Sequence, residues 1–114
     1  MSISNFLEKL SLNPETVEFS NTMDIVERFY DFTETSFTNG DTSNDAGQNN
    51  GSCKLFAFAK IHQLNQQDTL QCFGNFYRED VLKNPDGNDH QNIRNFIKHG
   101  WDGVSFSAEA LSPK

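Results

Sequence analysis

The sequence predicts a mainly α fold: a compact bundle of about five short helices with a long Asn/Gly-rich loop. Apolar residues recur at helical spacing in several short runs, and turn or cap residues bound each run. Eleven Phe, two Tyr and one Trp among 114 residues supply the interior. Each such ring withdraws roughly 150–250 Å² from water, so a few layers suffice for a single domain spanning residues 1–114.

The first run places Ile3, Phe6, Leu7 and Leu10 on one stripe, with Ser2 or Ser4 as cap. Asn13-Pro14 interrupts it. Val17 and Phe19 alternate with polar neighbours, so residues 16–19 read as extended, and their available partner is a short strand at Val104-Ser-Phe106. That pairing is the one minor two-stranded β element the sequence offers. Thr22, Ile25, Val26 and Phe29 then form a stripe that predicts a helix near 21–31, capped by Ser20 or Asn21.

Residues 33–52 hold three Gly and four Asn with Phe37 as the only large apolar group, which predicts a long loop pinned at its middle. Ser52 is the expected cap of a helix over about 53–64, with Ala57, Ile61 and Leu64 at helical spacing. Period-two alternation through Leu55-Phe-Ala-Phe-Ala59 makes a buried strand the rival reading, and length and Ala content favour helix. Leu70, Phe73, Tyr77 and Val81 line the following segment, which Gly74 is placed to split. Asn84-Pro-Asp-Gly-Asn88 marks a turn. Asn88 or Asp89 then caps a last helix that faces Ile93, Phe96 and Ile97 inward and stops at Gly100.

Composition narrows the function classes. Residues 1–50 carry nine acids against Lys9 and Arg28, a net −7, whereas residues 51–114 balance. An acidic half with no basic stripe argues against nucleic acid and against anionic lipid as partners. No apolar run approaches the roughly 18 residues of a membrane helix, and the start lacks the charge and apolar pattern of a secretory signal. Cys53 and Cys72 sit among Leu55, Phe56 and Phe73 and read as reduced, buried thiols.

Two segments carry chemistry-bearing residues. Gly47-Gln-Asn-Asn-Gly51-Ser52-Cys53-Lys54 resembles a glycine-rich helix opening that can cradle an anion, but its lysine does not directly follow a glycine. A plain Ser cap on a loop accounts for it. Asp86-Gly-Asn-Asp89-His90 with Arg94 gathers carboxylates and an imidazole, yet matches no metal-binding spacing, so no metal and no cofactor are expected. His90 fits a general base or a hydrogen-bonded core histidine, and the second is preferred because no nucleophile stands beside it in the sequence. Together these segments define a ligand-site expectation of Asn49, Ser52, Lys54, Asp89, His90 and Arg94, with no catalytic residue assigned.

Four blocks taken jointly are more specific than any motif. Phe29-Tyr-Asp-Phe-Thr33 precedes Phe37-Thr-Asn-Gly40; Ala46-Gly-Gln-Asn49 precedes Gly51-Ser-Cys-Lys54. Thr69-Leu70 and Cys72-Phe-Gly74 lead to Phe76-Tyr-Arg78 and Asp80-Val-Leu82, and Pro85-Asp-Gly87 leads through Asp89-His-Gln-Asn-Ile-Arg94 to Gly100-Trp101. In that order they resemble the HopJ type III effector family of Gram-negative bacteria, with Glu34 and Ser107 standing where Pro and Gly are expected. The resemblance implies a virulence protein held in the bacterial cytoplasm and delivered into a host cell. It implies a host protein as partner and brings no enzymatic activity or catalytic residues; the chain itself is expected to be a monomer. The alternative is a cytosolic bacterial protein that binds a small polar or anionic ligand at the six residues named above.

Overall fold

A computed structural model describes all residues, Met1 to Lys114. Helix α1 (Ile3–Leu12) starts where Ser2 Oγ accepts the Asn5 amide at 3.0 Å, and it buries Phe6 and Leu10. A 3₁₀ turn follows at Pro14–Thr16. Helix α2 (Phe19–Phe29) opens where Asn21 Oδ1 accepts the Glu18 amide at 2.9 Å, which commits Phe19 to the helix two residues before the expected start. The chain turns extended at Tyr30 and forms β1 (Tyr30–Phe32).

The stretch expected to be a long loop instead contains β2 (Phe37–Asn39) and β3 (Thr42–Asn44), an antiparallel hairpin. Helix α3 (Asn50–Ile61) begins at cap Asn49, not Ser52, and is followed by α4 (Gln66–Gln71). Gly74 breaks the next segment, and a π-helical turn spans Phe76–Val81. Helix α5 (Gln91–His99) begins after His90 and ends at Gly100, where a 3₁₀ turn leads into β4 (Val104–Phe106) and then β5 (Leu111–Pro113).

The architecture is therefore mixed α/β, with five strands in two antiparallel sheets, and the expectation of a mainly α bundle is wrong. Strand β1 pairs β5, with Phe32 opposite Leu111. The order of the other sheet is β3-β2-β4, so Phe37 faces Asn44 on one side and Phe106 on the other. Residues 16–19 do not pair with 104–106: Thr16 closes a 3₁₀ turn, Phe19 belongs to α2, and β4 takes β2 as its partner. The physical reason lies in Asn39. It alternates inward with Phe37 and is fully buried, so a period-two strand passes for loop when asparagine is scored as a surface residue.

Helix α3 runs through the centre, with Cys53 and every residue from Leu55 to Ala59 buried. Burial on all sides removes the stripe expected of a surface helix, which is why period-two alternation also fits this segment; the helix that its length and Ala content favour is what forms. Phe56 is the hub: its ring lies 5.0 Å from Phe96, 5.5 Å from Phe73, 6.2 Å from Phe37 and 6.3 Å from Trp101. Burying one such side chain contributes about 1.5–3 kcal/mol. Both cysteines are buried free thiols, and desolvation pushes Cys53 up to about 11 and Cys72 up to about 12.

Candidate functional site

Asparagine side chains organise the most specific polar region of the molecule. Asn39 Nδ2 donates to the Asn92 carbonyl at 2.7 Å, and Asn92 Nδ2 donates to Asn44 Oδ1 at 3.0 Å. Asn49 Nδ2 donates to the same Asn44 oxygen at 2.7 Å. Asn95 closes the set, accepting the Asp41 amide at 3.0 Å and donating to Thr42 Oγ1 at 2.8 Å. These bonds tie the β2–β3 hairpin to the starts of α3 and α5. One buried oxygen, Asn39 Oδ1, has no partner.

Above this network lies a cleft of about 370 Å³. Phe19, Phe73 and Phe76 give it an aromatic lining, to which Thr42, Asn49, Ser52 and His90 add polar groups. Two helices start there. Asn49 (φ 53°) and His90 (φ 49°) both hold left-handed backbone geometry immediately before α3 and α5, and neither cap side chain bonds back into its helix. First-turn amides precede a helix's own hydrogen-bond ladder, so each start presents N–H groups and the positive end of the helix dipole.

His90 is held from the π-helical turn. Its Nε2 lies 3.1 Å from Asp80 Oδ2, and its ring lies 5.2 Å from that of Phe76. Phe76 and Asp80 grip the imidazole from one face of that turn. His90 itself precedes the helix, and of the three residues expected to face inward from it, Ile93 and Phe96 are buried while Ile97 is 39% exposed.

Of the six residues expected at a ligand site, the fold brings Asn49, Ser52 and His90 to this cleft. Lys54 points elsewhere, 3.5 Å from Glu27 and 5.0 Å from the Phe32 ring centre. Arg94 and Asp89 bind each other at 2.6 Å. Arg94 also donates to the carbonyls of Asp89 at 2.6 Å and Asn84 at 2.9 Å, so it fastens the turn before α5. The Arg94 hydrogen bond holds the Asp89 carboxyl below the usual carboxylate range. The cations expected to recognise an anion are thus spent within the fold, and what lines the cleft beside the phenyl rings is amides, the hydroxyls of Thr42 and Ser52 and an imidazole.

Sequence reasoning missed the aromatic lining and Asn92. The available signal was the density of Asn at 39, 44, 49, 92 and 95, which is costly to bury unless the side chains bond one another.

A family model described as HopJ type III effector protein matches residues 3–111. Among solved structures, the crystal structure of an unknown function protein, VPA0580, is 54% identical and superposes with a TM-score of 0.98. The match covers 100% of this chain and 95% of that one. No curated protein matches the chain.

Proposed function

Because this chain belongs to the HopJ type III effector protein family, we propose that it is delivered by a type III secretion system into a host cell and acts there by binding. The family match across residues 3–111 carries the first half of this reading. Binding rather than covalent chemistry is supported by the thiols, which are buried and shifted to about 11 and 12, far from the reactive range. The imidazole of His90 is already engaged by Asp80 and Phe76.

Delivery would require unfolding. The first helix is part of the core, with Phe6 fully buried and Leu10 nearly so. A translocation reporter fused to the full chain should enter host cells from a secretion-competent strain and fail to enter from one lacking the secretion apparatus. Entry from both strains, or from neither, would overturn the effector reading.

The second reading, a bacterial protein that binds a small polar or anionic ligand, is favoured by one observation. Two helix starts and three anticipated residues meet in a single cleft. Phosphate, sulfate, short carboxylates and nucleotides, tested in turn, should include one that raises the melting temperature of the wild type. Ser52→Ala and His90→Ala should abolish that shift while leaving the unliganded melting point close to wild type. A screen that is silent across all four classes removes this reading.

A further inference from the structure

We propose that the trough between α2 and the π-helical turn is a docking site for a partner's basic peptide segment bearing an apolar anchor. This goes beyond the readings above, since it concerns a neighbouring surface and holds whichever cell the partner occupies.

The trough encloses about 480 Å³, and Phe19, Met23, Phe73 and Phe76 supply its apolar lining. Phe19 and Phe73 stack with ring centres 6.2 Å apart and planes 11° from parallel, and Phe76 meets Phe19 edge-on at 5.4 Å. The fold itself brings Phe76 to the surface. Gly74 takes φ 63° where an added Cβ would sit 2.7 Å from the Glu18 Cα, so the chain there must turn tightly across the start of α2. The π-helical turn then directs Tyr77 and Val81 inward and leaves Phe76 42% exposed. Most other rings in this chain are buried or half-buried, which makes an exposed ring above two stacked ones unusual.

Charge selects the occupant. The only ionisable residues lining the trough are Glu18 and Asp24, both acids. Glu18 is partly engaged, accepting the Asn75 amide at 2.9 Å and lying 3.4 Å from Arg78. Asp24 is exposed and takes part in none of the protein's ion pairs. The half of the chain that contributes both acids carries a net −7. A nucleic acid or anionic membrane would meet repulsion. A second copy would bring another acidic trough to the same place, because a two-fold contact juxtaposes identical patches. A lysine or arginine next to a leucine or phenylalanine satisfies both features: the cation reaches Asp24 or the face of Phe76, and the apolar group lies against Phe19, Phe73 and the adaptable Met23.

Phe19, Phe73 and Phe76 line the trough and the adjoining cleft alike. Occupancy should therefore be felt at His90, whose ring lies against Phe76.

The test is a titration of the ¹⁵N-labelled full chain with a fluorescein-tagged peptide of alternating lysine and leucine. Glutamate–leucine and lysine–serine peptides of equal length serve as controls. Saturable amide shifts should cluster at Ser20–Asp24 and Asn75–Phe76, with a perturbed His90 ring signal. Asp24→Lys, at an exposed helical position, should keep the wild-type melting point and weaken binding by about fivefold or more. Phe76→Ser should weaken it similarly. The proposal fails if shifts spread over the whole acidic surface, if either control peptide binds as well, if Asp24→Lys binds unchanged, or if no saturation is seen. It also fails if sedimentation shows copies of the chain associating through this face.

Discussion

Tyr30 Oη lies 2.8 Å from His62 Nε2, a hydrogen bond between the first residue of β1 and the residue that ends α3. Burial raises the Tyr30 phenol above its ordinary value and lowers His62 below 6.5, so each is held in its neutral form. The unfolded chain therefore takes up a proton on His62 at a pH where the folded chain does not. Stability from this group is present above 6.5 and is lost as pH falls from there through the lowered folded value. Melting temperature should fall between pH 7.5 and 5.5, and His62→Gln should flatten that slope. Tyr30→Phe should cost about 0.5–1.5 kcal/mol at neutral pH, read by urea denaturation.

Arg94 has a side chain only 13% exposed and fastens residues 84–89 through one carboxylate and several carbonyls. Arg94→Ala should lower stability by about 1–3 kcal/mol, and Arg94→Lys should recover little of it, because an ammonium cannot reproduce the planar fork. Chemical denaturation checks both.

Asn92→Ala would strip partners from the buried amides of Asn39 and Asn44 at once. The bonds from Asn39 to the Asn92 carbonyl, from Asn44 to the Phe37 carbonyl and from Asn49 to Asn44 survive, so the buried amides are left with fewer partners rather than none. The expected loss is about 1–3 kcal/mol by calorimetry, with increased amide exchange in β2 and β3.

Gly74→Ala should destabilise by about 1–3 kcal/mol, because φ 63° disfavours any side chain and Glu18 backbone occupies the space. Crosspeaks of Phe19, Phe73 and Phe76 should all move, since these rings meet across the same junction.

With thiols shifted to about 11 and 12, neither Cys53 nor Cys72 should react with a disulfide reagent at pH 8 while the protein is folded. Labelling measured against denaturant should follow global unfolding. Fast labelling of either thiol in the native state would contradict its burial.

What the sequence disclosed follows from how each segment is buried. α1 and α2 each bury one face, and that face is visible as a periodic stripe. The segment around Phe56 is buried on every side, so its periodicity vanishes and only Ala content and length separated helix from strand. β2 and β3 escaped notice because Asn39 and Asn44 serve as inward residues, a role that depends on partners from α5 far along the chain. The site was legible to the same degree: the Asn49–Ser52 and His90 segments meet, while Lys54 and Arg94, chosen for charge, found closer counter-ions and carbonyls within the fold. No local pattern reports whether a cation will be satisfied by its own chain.

Strand β2 is flanked by β3, only a few residues downstream, and by β4, where Thr38 meets Ser105. One neighbour is thus local and the other has high contact order, so the closing step of this sheet carries a large loop-closure entropy. A chain emerging N-terminus first, from a ribosome or any narrow channel, cannot shield the outer edge of β2 until nearly its whole length is free. During that interval the edge is an open template for a wrong strand. Folding yield should therefore be most sensitive to crowding and concentration late in emergence, after the helical core has already gathered.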